Sequence, residues 1–353
     1  MVSGTFAQAQ THLDQIINMQ TAPKCYGAIK TKDLIKIDGK ADEKAWDLAP
    51  WTDKFVDIEG DKRASPSFDT KVKMLWDENC LYLYALLEEP HIWGDLTEHD
   101  AIIYHNNDFE VFIRPFEQHP LYYEIEINPL NTVMDLFMPK PYRLGGEALM
   151  HWDIKNLKAA VYVNGTLNNP NDTDVYWSIE MAIPFSSLTT FGRRPTPRVN
   201  DYWKINFSRV QWQHEITEGK YTRREDQGKI MPEDNWVWSP IGIVNMHYPE
   251  RWGYVQFIDT PKNINLPASY AIEKIAWNIF YLQQLHKKTL GKFATDLKQL
   301  KGYEEVLQND AQERHCSIFT NKRSTSYKME IKDPTAGITV TLDHFGHYTI
   351  NYE

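Results

Sequence analysis

The sequence predicts a mainly β chain: an antiparallel β-sandwich followed by a small C-terminal helix and β-meander. Three observations predict it. Short segments with a period of two recur from Leu34 to about Asp259. Turn-forming clusters punctuate them, and helical spacing is almost absent until after Pro267. Many short alternating segments separated by turns are the pattern of a sandwich rather than of a βαβ fold.

In chain order, residues 1–31 read as a signal remnant and lead-in segment without a clean period. Residues 32–260 carry the strands. Val72, Met74 and Trp76 alternate with Lys71 and Lys73, and Phe109, Val111 and Ile113 alternate with Glu110, Phe112 and Arg114. Tyr123, Ile125 and Ile127 alternate with Glu124, Glu126 and Asn128. Trp177, Ile179, Met181 and Ile183 continue the series from Val175. One apolar side per strand implies one face on the core and one polar face. Asp77-Glu78-Asn79, Asn128-Pro129-Leu130-Asn131 and Asn168-Asn169-Pro170-Asn171-Asp172 supply turns. In residues 261–353, Ser269 is placed as N-cap of a helix carrying Ile272, Ile275, Ile279, Leu282 and Leu285, with Gly291 as its stop. A short second helix is expected over Thr295–Leu300. Three strands follow, marked by Tyr327/Met329/Ile331, Ile338/Val340/Leu342 and Tyr348/Ile350/Tyr352. The apolar stripe of the helix is too wide to leave in water, so it should pack on its own sheet, on the sandwich, or on a protein partner.

Composition narrows the function. Hydrophobic residues make up 42% of the chain, enough for a sizeable core. Aromatics reach 13%, including 12 Trp and 19 Tyr, which suits both pleated sheets and stacking on sugar rings. Any single Trp is better explained by packing. The net charge of −10, with no basic stripe, argues against nucleic acid. Cys25, Cys80 and Cys316 are far apart and form no CxxC pair, so zinc and redox motifs lack support; one disulfide is left open. Phe6-Ala7-Gln8-Ala9 before Gln10 has the A-x-A form of a signal-peptidase site, which points to export to the periplasm, the outer membrane or the medium. No apolar run is long enough for a transmembrane segment.

Several stretches together resemble the family 9 carbohydrate-binding modules and their Bacteroidetes relatives. They are Ile37-Asp38-Gly39-Lys40-Ala41-Asp42-Glu43-Lys44-Ala45-Trp46, then Val72–Tyr82, then Asn107–Ile113. Trp177–Phe185, Asn206-Phe207-Ser208-Arg209 and Tyr248-Pro249-Glu250-Arg251-Trp252-Gly253 follow in the same order. The resemblance covers about residues 32–259 and leaves the extension outside. It implies a DOMON-like sandwich without catalytic machinery, structural calcium in some members, and a sugar held between two aromatic rings. Tyr104 aligns with one stacking Trp of the family, and Met246, beside His247 and Tyr248, aligns with the other. Glu110 falls on the family's acidic contact. Glu126 stands where the family has an Arg, and Ser208 where it has a Gln.

Read as residues, Glu110 and Asn128 lie on the polar side of their strands, where they would hydrogen-bond sugar hydroxyls. The expected carbohydrate site is Tyr104, Glu110, Asn128, Ser208, Met246 and His247. Trp46, after the Asp38-Gly39 turn, is read as structural. His99, Asp100, His105, Asn106, Asn107 and Asp108 are read as a polar loop, since no HExxH-like spacing fixes two ligands on one face. If a metal binds, calcium is favoured, because it takes oxygen ligands; no ligand set is assigned. Catalysis lacks a GxSxG elbow, a P-loop or a GxGxxG stretch, and haem lacks a CxxCH site. The expected function is non-catalytic capture of an oligosaccharide or polysaccharide in glycan utilisation. The alternatives are a glycan hydrolase with acids on the same face, or an interaction protein that has lost its sugar.

Overall fold

The computed structural model describes residues 12–189, 195–307, 310 and 314–353. The A-x-A stretch lies outside the described residues. Helix α1 runs over residues 12–18, α2 is Ala45–Leu48 and α3 is Tyr270–Leu290. The strands of the first part are β1 (Cys25–Lys30), β2 (Val56–Asp57), β3 (Thr70–Trp76), β4 (Cys80–Glu88), β5 (Asp108–Arg114), β6 (Tyr122–Ile127), β7 (Val133–Met138) and β8 (Lys158–Asn164). They continue as β9 (Tyr176–Pro184), β10 (Tyr202–Gln211), β11 (His214–Thr217), β12 (Lys220–Arg223), β13 (Glu225–Asp226), β14 (Lys229–Ile230), β15 (Asp234–Val237) and β16 (Gly253–Ile258). The extension adds β17 (His315–Thr320), β18 (Tyr327–Asp333), β19 (Ile338–Asp343) and β20 (Tyr348–Tyr352).

One sheet carries the sandwich, in the order β7-β6-β5-β10-β16-β1-β3-β4-β9-β8, with β15 beside β10 and β2 beside β15. It curls on itself. Val72, Met74 and Trp76 of β3 meet Phe109, Val111 and Ile113 of β5 and Trp177, Ile179 and Met181 of β9 in one core. These are the residues whose alternation marked the strands. Burial of this many aliphatic and aromatic side chains supplies the driving force for the fold, about 25 cal/mol per Å² of apolar surface.

Two features depart from expectation. The lead-in is not outside the sandwich. β1 lies in the middle of the sheet, parallel to β16 (Cys25↔Tyr254 through Ile29↔Ile258) and to β3 (Ile29↔Leu75). Its middle four residues are all buried, so no alternation exposes it in the sequence. α1 likewise packs Leu13, Ile16 and Met19 into the core of the extension. The second departure is the polar face of β5 and β6. Every residue of both strands is buried, because Met246, Trp252, Ile241 and Val237 cover that face with Phe112, Tyr122, Met134 and Leu136.

The extension forms as its pattern requires. Gly291 ends α3 with φ +74 and donates to the Lys287 carbonyl. Ser269 occupies the N-cap position without a side-chain cap bond. The short helix expected over Thr295–Leu300 is a 3₁₀ turn, Leu297–Gln299. The meander gains an edge strand, β17, whose half-exposed alternation is weak in the sequence. α3 packs on β18 and β19 and also meets the sandwich. There Glu273 pairs with Lys204 at 3.1 Å and Arg114 at 4.0 Å, and accepts from the Tyr254 hydroxyl. All three charged side chains are buried, and the attraction of Lys204 and Arg114 holds Glu273 below its usual pKa although burial opposes it.

Candidate functional site

A cleft of about 390 Å³ opens on the covered face of β5, β6 and β7. Tyr104, Glu110, Met246 and His247 line it together, as do Glu124, Glu126, Tyr142 and Glu233. Strand register builds its wall. Glu110 on β5 faces Glu126 across β6, and Phe112 faces Glu124, so alternate residues of two paired strands put three carboxylates on one surface. Asp108, two residues before Glu110 on the same face, lies beneath them, fully buried.

Tyr104 sits on a 3₁₀ turn, Ile103–His105, whose position two bonds fix. Its backbone N–H donates to Glu126 Oε2 at 3.0 Å, and its carbonyl accepts from Trp212 Nε1 at 2.7 Å. Its ring is left 42% exposed at the rim, and Tyr142 at the same cleft is 46% exposed. His247 has Tyr142 edge-on at 4.7 Å and Phe112 at 6.0 Å. Its Nδ1 is bonded to the Tyr122 hydroxyl at 2.7 Å. Burial, with the nearby Arg143 charge, lowers the His247 pKa to about 4, so the imidazole is neutral near pH 7.

The carboxylates behave otherwise. Burial pushes Glu110 up to about 7, with Glu233 adding to the shift and the Ser208 hydroxyl opposing it. Asp108, Glu124 and Glu126 are each raised well above the ordinary carboxylate value, by burial first and by one another second. No lysine or arginine lines the cleft among the described residues.

Two expected site residues do not reach the cleft. Asn128 locks a turn: its amide donates to the Leu96 carbonyl and its oxygen accepts from Leu130 and Thr132 N–H. It lies one residue past β6 and is fully buried, which the strand pattern could not show. Ser208 is paired with Glu110 across β5 and β10 and is fully buried, so it supports Glu110 from below. Glu110 itself is 7% exposed, a wall of the cleft rather than a group on a solvated face. Met246 is 7% exposed and its carbonyl accepts from Trp252 Nε1, so it is a wall and not a stacking platform. Tyr142 and the ring of carboxylates escaped the sequence reading. Tyr142 lies in the loop after β7, where no periodicity marks it, and Glu124 signals its position only through alternation.

The polar loop divides. Asn106 and Asn107 are structural: the Asn106 carbonyl oxygen accepts from Asp95 and Leu96 N–H, and Asn107 joins Glu89 to Trp212 N–H. His99 and Asp100 meet Asp135 and Asp153, which are far off in sequence. His99 Nε2 lies 3.1 Å from Asp153 and 3.7 Å from Asp135. The Asp153 contact, ahead of Asp100 and Asp135, raises the His99 pKa.

The structure is thus a β-sandwich with a carboxylate-walled cleft on the covered face of β5, β6 and β7. Residues 37–197 match the family described as carbohydrate family 9 binding domain-like. Tyr104, Glu110 and Asn128 fall inside the match, while Ser208, Met246 and His247 lie beyond it. Among solved structures, a candidate carbohydrate-binding protein from Bacteroides uniformis is similar at 15% identity and a TM-score of 0.49, over 67% of this chain and 100% of that one. Family 9 modules from Caldicellulosiruptor kristjanssonii, in complex with glucose and with cellotriose, are similar at 16% and 15% identity with TM-scores of 0.40 and 0.39, over 69% of this chain and 100% and 98% of theirs. No curated protein matches the chain. No described helix is long and apolar enough to cross a membrane.

Proposed function

We propose that the protein captures a saccharide in this cleft without cleaving it, as an exported component of glycan utilisation. One observation carries the reading: within a family 9-like domain, two exposed tyrosines, Tyr104 and Tyr142, share a cleft whose wall is carboxylate. Sugar recognition needs apolar ring faces for the C–H surface and acceptors for the hydroxyls, and this cleft offers both. Tyr142 supplies the second ring that Met246 does not. Export rests on the Ala7-Gln8-Ala9 stretch. Calorimetry against ligands selected on a glycan array tests the assignment. Tyr104→Ala and Tyr142→Ala should each cost about 1 kcal/mol, roughly fivefold in Kd. Affinities equal to wild type in both variants would place the site elsewhere.

A hydrolase is the second reading, favoured by Glu110, whose carboxyl at about 7 suits a general acid. Geometry weighs against it. One carboxylate oxygen from each of Asp108, Glu110 and Glu126 lies within 4.8 Å of the others, whereas a glycosidase pair flanks its bond at about 5–10 Å. Release of reducing sugar by wild type, abolished in Glu110→Gln, would establish the hydrolase instead.

A further inference from the structure

Among the described residues, no lysine or arginine lines the cleft beside the carboxylate wall. Asp108, Glu110 and Glu126 are 0%, 7% and 3% exposed, and each offers an oxygen within 4.8 Å of the others. Glu124, 4% exposed, stands beside them. Asp108 Oδ2 and Glu124 Oε2 are buried without a hydrogen-bond partner. Buried carboxylate oxygens are normally paired, and an unpaired one costs about 1–3 kcal/mol or more. His247 is 3.9 Å from Glu124 but spends its Nδ1 on Tyr122. Arg143 is turned away, bonded to the His247 carbonyl and Glu250. The second acidic cluster, at Asp135, shows the contrast: there a histidine, His99, bridges three carboxylates at 3.1–3.7 Å.

We propose that Asp108, Glu110 and Glu126 bind a divalent cation of the calcium class at the floor of the cleft. The donor set is all oxygen, which selects a hard cation over zinc or copper. Asp108 Oδ1 and Glu126 Oε2 are held by the Val210 and Tyr104 N–H groups, so two of the three ligands are oriented by backbone. The bond from Tyr104 also ties the cation's ligand to the turn that carries a rim tyrosine. The groups facing the site are Asp108, Glu110, Glu124, Glu126, Glu233 and His247, five carboxyl groups and one imidazole.

The proposal concerns the cation alone and stands apart from the saccharide reading. Metal-free full-length protein is titrated with Ca²⁺ by calorimetry and with Mn²⁺ by electron paramagnetic resonance, without sugar. Saturable binding is expected with both ions. Asp108→Asn and Glu126→Gln should each weaken it at least tenfold, while Asp153→Asn, at the His99 cluster, leaves it in place. Glu110→Gln serves as a further variant should Asp108→Asn fail to fold. No saturable binding by wild type, at concentrations several times the roughly 1 mM of weak extracellular calcium modules, overturns the proposal. Binding that survives Asp108→Asn and Glu126→Gln, or is abolished by Asp153→Asn, overturns it equally.

Discussion

Glu180 on β9 and Glu110 on β5 are both buried, and burial pushes both up to about 7. Their surroundings differ. Glu180 accepts from the Trp46 indole and from the backbone N–H of Asp38 and Gly39, so both its oxygens are used. Gly39 has φ +84, and a Cβ there would stand 2.6 Å from the Tyr162 nitrogen, which is why the turn before Trp46 needs glycine. Glu110 has around it Asp108, Glu124 and Glu126, and among the described residues no lysine or arginine lines its cleft. Perturbed acidity alone thus fails to separate a structural carboxylate from a functional one. The donors aimed at it do: Glu180 completes a local structure, while Glu110 belongs to a group that still requires something positive or a hydrogen-bond donor.

The contrast can be broken most severely at the extension. Lys204 and Arg114 pair with Glu273 of α3 and bond to backbone carbonyls, and Lys204 also lies over the Tyr254 ring. Deleting residues 262–353 strands two buried cations, a loss of about 3–5 kcal/mol for a broken buried pair. The truncated sandwich should be insoluble or lose much of its denaturation midpoint, and a protein as stable as full length in urea would show the two modules to be independent. Glu180→Ala comes next. It removes the acceptor of three buried donors and should cost about 3 kcal/mol or more, read from the same unfolding curves.

Glu110→Gln should go the other way. Glu110 binds its proton more tightly folded than unfolded, with a folded pKa of about 7 against an ordinary 4.5. The folded state then carries more protons across that window, so stability is full below it and falls as pH rises through it. The contribution is at most about 3 kcal/mol. In metal-free protein, Glu110→Gln should therefore match wild type near pH 5 and exceed it near pH 8. Parallel pH profiles for the two proteins would mean that Glu110 is already neutralised. The smallest effects belong to the rim: Tyr104→Ala and Tyr142→Ala should leave the melting temperature within a degree or two, because exposed side chains contribute little to folding.

The sequence made one class of element legible and hid another. Strands with one face on the core, such as β3 and β9, announce themselves by alternation, and α3 by its period and its Gly291 stop. β1 is covered on both faces, and α1 has too few turns to establish a period, so both escaped. The same limit applies to the site. Alternation told which side of β5 Glu110 occupies but not that Met246 and Trp252 close over it. Nor could it reveal the pairing of Glu110 with Glu126, which is a fact of register. Tyr104 and His247 line one cleft, whereas Asn128 shares a segment with it and bonds within its own turn.

The central position of β1 sets the order in which the protein can be built. Cys25 is hydrogen-bonded beside Tyr254, so the earliest strand of the chain finds its longer partnership only when the last strand of the sandwich arrives. Until then β1 has two paired residues on β3 and an open edge. Sheets closed by such distant pairings fold slowly, because the loop must be closed before its contacts stabilise it. During synthesis the two halves of the sandwich therefore wait as separate, edge-exposed sheets, and the addition of Gly253–Ile258 is the event that stitches them into one.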